Sequence, residues 1–506
     1  MLLILCLVLS GHLDAAESAL TLERAISIAL GESYTVRSYH ERKQSMEHSF
    51  RYYQAQFDPR LDFTLYAPSW NENVDAIQRV DGLPVYNSTG AMLYSGLLKF
   101  TYMLPTGGNL ALSTELRRVN EKTVLALNDY LTLSDRKAQS SFSLRFEQPV
   151  FTRNTLAENL NEARLNYEKV SSQFTRQQMD IIYRVTQSFF SVFRCTRAAE
   201  IAGEKLANSE QALGVARLKA EAGRIAEGEV LTAEVTAAEN RADLSERQGD
   251  LERASDELKQ LIGLDLYQPL SVVTDLSYDS LSVDPDKAIE RALANRLELR
   301  EAELDYELGQ IDLDRAKRIR EVSGKISAYY DITGVSTREH GSTMDLFNSS
   351  FDNFVDRPPN RGVTLSVTVP VFDWGRGRER VQQEMANLRQ ARLDIEDQRN
   401  TIIRQVRDIV RNVEESGNRL RIHEQNQQLA QRSYQISRLR FESGAITSQD
   451  LALAQERLAA SQLNYMDAYI TYQLALAELK KQTLWDFEND CGYRVDQKYS
   501  SDRSDQ

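Results

Sequence analysis

The stretch RGVTLSVTVPVFDWGRG, residues 361–377, joins two incompatible periodicities. Val363, Leu365, Val367, Val369 and Val371 fall on one side of an extended chain, and Thr364, Ser366 and Thr368 on the other. That period of two describes a strand with one apolar and one polar face. From Trp374 the alternation stops. The residues from there to Arg440 are rich in Arg, Gln, Glu and Leu and contain no proline, which predicts one very long helix. Pro370 sits at the junction, where a missing N–H is tolerated, and Gly375 and Gly377 loosen the turn.

The same junction occurs earlier in the chain. Gln148-Pro149-Val150-Phe151 matches Val369-Pro370-Val371-Phe372 at an offset of 221 residues, counted from Pro149 to Pro370. Ala222-Gly223, followed by Glu229-Val230-Leu231, matches Ser443-Gly444, followed by Asp450-Leu451, at the same offset. Upstream, Ala25-Ile26 matches Ala288-Ile289 at an offset of 263, so the first half carries 42 extra residues before its Pro-Val-Phe junction. Each half therefore reads as an opening helix, barrel-type strands, a long helix, a glycine-marked turn and a returning helix.

In chain order, Thr21 caps a helix to about Gln56, and alternation follows at Leu61, Phe63 and Leu65. Residues 71–90 read as a loop rich in Asn, Asp and Gly. The extra segment then gives a hairpin at about 94–118, turning at Pro105-Thr106-Gly107-Gly108. A polar connection leads to the strand with Phe142, Leu144 and Phe146. The helix at about 152–220 places Ile182, Val185, Phe189, Val192, Ala199 and Ala202 at coiled-coil spacing. Its return helix, about 228–262, carries Leu231, Val235, Ala238 and Ala242. In the second half Asp284-Pro285 starts a helix to about Glu321, and Ile326, Ala328, Tyr330 and Ile332 alternate. Residues 334–360 read as a polar loop. The last two helices carry Ile402, Val406, Ile409, Val413 and Leu420, then Leu458, Tyr465, Tyr469, Tyr472, Leu476 and Leu479. The expected organisation is a signal peptide at 1–16, a first repeat at 17–262, a linker at 263–283, a second repeat at 284–484 and a polar, poorly ordered tail at 485–506.

The chain has 506 residues, 42% hydrophobic and 27% charged, with net charge −13, so a large core is expected and nucleic acid is not a partner. MLLILCLVLSGHLDAA reads as a secretory signal despite lacking a basic start, with cleavage between Ala15 and Ser18. The run is shorter than the ~20 apolar residues of a membrane-spanning helix. Nothing later is longer, so a membrane crossing would have to use strands. A disulfide between Cys195 and Cys491 is allowed but not required. Gly375-Arg376-Gly377 follows a strand as a dinucleotide fingerprint would, but Arg380 stands where the third glycine belongs. The five histidines show no ligand spacing, and no nucleophile or phosphate motif appears, so no enzyme, cofactor or metal is expected.

Strands that are apolar outside and polar inside are what a transmembrane barrel requires. Four of them, at about 61–67, 141–149, 324–332 and 362–371, cannot close a barrel alone, and three copies would supply twelve. A secreted coiled-coil structural or adaptor protein is the alternative.

Thr21-Leu22-Glu23-Arg24-Ala25-Ile26, the duplicated Pro-Val-Phe junctions (Pro149, Phe151, Pro370, Phe372) and the paired glycine turns together resemble the outer membrane efflux protein (TolC-type) family, over about 20–484. The resemblance implies a mixed α and β membrane protein. This would be a homotrimeric outer membrane β-barrel, with four strands per copy or six if the hairpin joins, continued by a coiled-coil α-helical barrel in the periplasm. It implies an export conduit for small molecules, ions or proteins, docked to a periplasmic adaptor and an inner membrane transporter, with outer membrane lipid around it. The periplasmic tip, gate and adaptor contacts would fall on Lys219, Gly223, Arg224, Glu229, Arg440, Gly444, Ala445, Ile446 and Asp450. Three copies of Asp450 would make a self-repelling, cation-selective ring; a solvated helix-start carboxylate is the simpler role. Leu453 stands where some members have a second acidic residue, and Ile446 where a basic residue ties the gate shut, leaving Arg224 as the substitute tie.

Overall fold

The computed structural model describes residues 20–80, 82–125, 131–274, 278, 281–338, 342–443 and 445–493. The signal peptide, Gly444 and residues 494–506 lie outside them. The chain divides into two units. One comprises the chain up to Gln44, Lys169–Glu303 and the chain from Arg392; the other comprises Ser45–Glu168 and Leu304–Ala391.

Each half opens with two helices, α1 (Leu22–Glu32) and α2 (Tyr34–Ala55) in the first, α5 (Pro285–Asn295) and α6 (Leu297–Arg318) in the second. Thr21 Oγ1 accepts from Arg24 N, and Asp284 Oδ1 accepts from Asp286 N, so both starts are capped as their sequences predict. The single helices expected over 21–56 and 285–321 are each broken. Ser33 and Arg296 take extended ψ values of 128° and 124°, although neither position is Gly or Pro.

The helical unit is built on α3 (Thr155–Glu221) from Lys169 onward, α4 (Glu227–Ile262), α8 (Arg376–Glu442) from Arg392 onward and α9 (Ser448–Thr483). α3 and α8 each have 67 residues, which is about 100 Å at 1.5 Å per residue. Val185, Phe189 and Val192 are buried together with Ile402, Val406, Val413, Tyr472, Leu476 and Leu479. The heptad-like spacing puts these residues on one seam. In the first turns of α4 the buried positions are Ala233, Ala237 and Asn240, while Leu231 and Val235 are more than half exposed; nearer its end Ala254, Leu258 and Ile262 join the main core. The expected α4 stripe is therefore not the one packed within the chain, because small residues let the helices approach closely. Gly263 (φ 83°) ends α4 in the left-handed conformation, and both Gly263 N and Leu264 N reach Lys259 O at 2.9 Å. Beyond α9, Trp485–Asp486 (β7) pairs with Cys491–Gly492 (β8), and Asp486 is buried beside Lys480 at 3.4 Å. The described start of the tail is thus folded against the helices. Cys195 and Cys491 are both free thiols.

The second unit is a six-stranded antiparallel sheet in sequential order: β1 (Arg60–Ile77), β2 (Val85–Met103), β3 (Asn109–Leu125), β4 (Leu131–Val150), β5 (Ser323–Arg338) and β6 (Asn360–Thr368). The predicted loop over 71–90 and the connection before residue 141 are largely strand. Polar residues interrupt both faces there, so no sustained alternation marks these segments, but the ladder satisfies their backbone all the same. The predicted loop over 334–360 contains the end of β5 and a helix, α7 (Thr343–Asp356), lying on β4 and β5. β6 ends at Thr368, before the valines at 369 and 371.

Candidate functional site

In the helical unit the two turns lie together. After α3, Gly223 N reaches Ala220 O at 2.8 Å and Arg224 N reaches Lys219 O at 2.9 Å, with Gly223 at φ 67°. A side chain would strain that conformation, so glycine is required there. α4 then starts at an N-cap, Ala226, that has no hydroxyl to offer. After α8, Ala445 N reaches Arg440 O at 2.8 Å. Thr447 caps α9 through a reciprocal box: Asp450 N donates to Thr447 Oγ1 (3.2 Å), and Thr447 N donates to Asp450 Oδ2 (3.1 Å). The Thr447 hydroxyl and backbone N–H hold the Asp450 carboxyl below its ordinary pKa. The Thr-x-x-Asp spacing is the sequence signal for this cap; the sequence reading offers Asp450 as a helix-start carboxylate but names no Thr447 partner for it.

Lys219 joins the turns, with Nζ donating to Phe441 O at 3.0 Å and lying 4.4 Å from the Phe441 ring centroid. A cation on the last turn of α8 complements its free carbonyls. Lys219, Arg224, Glu229, Phe441, Ala445, Ile446 and Asp450 line one cleft of about 610 Å³. Ile446 also packs on the buried cluster of Tyr434, Phe441, Leu451 and Leu458. The position without a basic residue is filled by apolar packing. Leu453 is half exposed.

In the sheet unit, register assigns the faces. Leu61 pairs with Phe100 and Phe63 with Leu98; Leu112 pairs with Leu144, Phe146 with Ala328, and Ala328 with Val363. Directly paired residues share a face, so the apolar alternations of all six strands form one continuous belt. Phe63, Leu65, Val363 and Leu365 are each at least 60% exposed on it. The opposite face is polar in its charged and hydroxyl rows, with Leu97 and Tyr329 among them. Lys325 lies 3.4 Å from Glu147, Arg145 is 3.9 Å from Asp331, and the Ser143 hydroxyl donates to Asp331.

Both strand-to-helix junctions belong to this unit. Pro149 is the last-but-one residue of β4, and Phe151 takes φ 62°. Asn154 Oδ1 accepts from Leu156 N (3.0 Å) and Ala157 N (3.1 Å), while its amide donates to Pro105 O at 2.6 Å. The β2–β3 turn is thereby tied to the first junction. In the second, Pro370 and Phe372 lie beyond β6, and Asp373 accepts from Gly375 N (3.0 Å) and Gly377 N (2.8 Å). Those two N–H groups hold the Asp373 carboxyl below its ordinary pKa. Gly375 (φ 88°) is needed for its conformation and Gly377 for its closeness, since a Cβ there would sit 2.5 Å from Arg320 Cγ. Exposed Phe372 and Trp374 meet edge to face at 4.6 Å.

No helix among the described residues is long and apolar enough to cross a membrane. Likewise, no group of three or more His, Cys, Asp or Glu among them is arranged to hold a metal ion.

Similarity to known proteins bears on what this arrangement is for. The chain is 22% identical over 344 residues to outer membrane protein TolC of Vibrio cholerae serotype O1, covering 67% of this chain and 76% of that protein. Its fold superposes on the CmeC outer membrane channel of Campylobacter jejuni with a TM-score of 0.66 at 11% identity, covering 94% and 87% of the two chains. The outer membrane protein VceC of Vibrio cholerae superposes with a TM-score of 0.63 at 15% identity, covering 94% and 97%. The family model for outer membrane efflux proteins matches residues 109–264 and 288–483, and the chain belongs to that family: it is a TolC-like efflux channel of the outer membrane, not an enzyme.

Proposed function

We propose that three copies close their sheets into one barrel in the outer membrane, and that α3, α4, α8 and α9 of the three copies form a periplasmic duct. The observation that carries this reading is the sheet itself, with one belt of exposed apolar side chains and β1 and β6 as its outer strands. In lipid an outer strand cannot leave its N–H and C=O groups unpaired, so β1 of one copy must meet β6 of the next. Three copies of six strands give an eighteen-stranded barrel, the 42-residue segment enlarging it by two strands per copy. The polar face with Lys325, Glu147, Arg145 and Asp331 lines the lumen. Exposed Phe151, Phe372 and Trp374 at one end of the strands and Trp70 and Tyr86 at the other supply the aromatic girdles of such a barrel. The unpacked α4 residues Leu231 and Val235 meet a neighbouring copy.

The paired helical turns dock a periplasmic adaptor and form the gate, and the duct exports cargo delivered by an inner membrane transporter. The cleft that gathers Lys219, Arg224, Glu229, Ile446 and Asp450 supports this role. Cysteine pairs scanned between β1 (Asp62→Cys, Thr64→Cys) and β6 (Thr364→Cys, Ser366→Cys) should trap a covalent trimer with single-channel conductance. If every pair stays monomeric and the protein is recovered soluble from the periplasm, the reading fails.

A further inference from the structure

One element of the sheet unit is not used by the channel reading. α7 is anchored to three strands: Arg118 Nη1 on β3 donates to Thr343 Oγ1 (2.6 Å), Ser140 N on β4 donates to Ser350 Oγ (3.0 Å), and Ser350 Oγ donates to Gly334 O on β5 (2.9 Å). Ala138, Ser140, Gly334 and Ser336 beneath it are small, and a Cβ on Gly334 would lie 2.0 Å from Ser350 O. Close seating of the helix is therefore written into the strands.

Register shows which face it covers. Ser140 pairs with Gly334, and two residues along the same strands Phe142 pairs with Ile332, a row of the apolar belt. α7 thus lies on the belt face, immediately beyond the last apolar row of β4 and β5. Across the sheet, the row of Ser140 and Gly334 continues through Leu116 and Gly96, and the next rows bring in Tyr94, then Met92 and Trp70, all on that face. On β1 and β2 the apolar surface therefore extends further than on β4 and β5, and α7 occupies the rows where the strands stop supplying it.

The outward side of α7 is not uniformly polar. Met344, Phe351 and Val355 recur at steps of seven and four, so they form one stripe, and they are 67%, 49% and 83% exposed. Asp345, Asp352 and Asp356 repeat the same steps one residue later, giving a parallel acidic stripe about 100° round the helix. An exposed helix with one apolar and one charged flank, lying flat on a support, has the form of an interfacial membrane helix.

We propose that α7 is such a helix, with Met344, Phe351 and Val355 in the acyl chains of the outer leaflet, completing the lipid-facing belt over β4 and β5, and the aspartates in water. The proposal rests on the reading of the sheet as membrane-spanning. Its occupant is lipid because α7 sits on the belt face, in the row next to Phe142 and Ile332, and exposes an apolar stripe there.

The test is quenching of a fluorophore by nitroxide-bearing acyl chains, on the full-length protein in phospholipid vesicles. In a Cys195→Ser, Cys491→Ser background, single labels are placed through Val355→Cys on the apolar stripe, Asp352→Cys on the acidic stripe and Val363→Cys on the belt. Val355→Cys should be quenched to within about twofold of Val363→Cys, and Asp352→Cys several-fold less. If Val363→Cys is quenched and Val355→Cys behaves like Asp352→Cys, the helix stands in water; the inference falls and the barrel reading survives. A Val355→Cys label shielded from both lipid and aqueous quenchers is covered by protein, which also overturns it. Loss of quenching at Val363→Cys removes the membrane-spanning sheet and the helix inference with it.

Discussion

The two halves of the chain build the same turns with different chemistry. At the first strand-to-helix junction the cap is an amide, Asn154, which also holds Pro105 of the neighbouring hairpin turn. At the second it is a carboxylate, Asp373, which accepts from Gly375 N and Gly377 N of its own turn. The helical turns differ in the same sense: α4 starts from Ala226 without a side-chain cap, and α9 from the Thr447–Asp450 box. The long helices they bound have equal lengths in both halves. Helix length is thus insensitive to the capping chemistry, while the turns' stability and pH response should not be.

The largest contrast is expected at the first junction. Asn154→Ala removes two N–H bonds at the start of α3 together with the tie to Pro105, and should cost about 1–2 kcal/mol. The measurement is thermal unfolding of the purified protein alongside amide exchange at residues 155–157. If the loss stays within the error of a surface substitution, the tie between hairpin and junction carries no stability. Next comes the helical turn. Thr447→Ala takes the hydroxyl from the box and should cost about 1 kcal/mol, seen as faster exchange over the first turn of α9. The reciprocal change Ala226→Thr, opposite Glu229 at the third helical position, should slow exchange at the start of α4. Failure of the second change would mean that the first turn's uncapped start is held by other contacts.

How much of this was legible beforehand follows from which residues carry alternation or heptads. The belt strands were readable at Leu61–Phe63–Leu65 and at Phe142–Leu144–Phe146, because one face is apolar. Their outer ends were not, since Asn71, Asn73, Lys122 and Arg136 sit in ladders with polar groups on both faces. α7 reads as loop because its Asn, Asp and Ser content is that of a turn; its seat is set by Ser350 meeting Ser140, 210 residues away in sequence. The breaks at Ser33 and Arg296 had no glycine or proline to announce them. At the helical turns the duplicated spacing marks Gly223, Glu229, Gly444 and Asp450, and the family resemblance implies the other candidates, but neither points to the partners Phe441 and Thr447. Their roles arise from one helix end meeting another, which no local pattern encodes.

Acid separates the halves in a further way. Asp373 and Asp450 both have folded pKa values below the ordinary 3.8, owing to the N–H groups of Gly377 and Gly375 for the first and to Thr447 for the second. A lowered carboxylate pKa means that the cap stabilises fully above the unfolded value and is lost as pH falls through the folded one. Below about pH 4, exchange should therefore quicken at residues 375–378 and 448–451 while residues 155–157, capped by an amide, stay protected. Asp373→Asn should abolish the acid sensitivity of its own junction. Equal acid response at both junctions would show that the caps do not control it.

The smallest expected effect tests what the turn carboxylates do for conduction. Asp450→Asn keeps an oxygen able to accept from Thr447, so the box survives while the charge is removed. If three copies of Asp450 face the constriction, the substitution weakens their mutual repulsion and lowers cation selectivity, moving the reversal potential in a salt gradient towards zero. Glu229→Gln makes the same change at the first helical turn. A shift with Asp450→Asn alone would place the capped turn at the pore and the uncapped turn outside it; equal shifts would make both part of the ring. Unchanged selectivity in both variants would leave Asp450 as a helix cap and nothing more, and the difference between the two turns would then concern stability rather than transport.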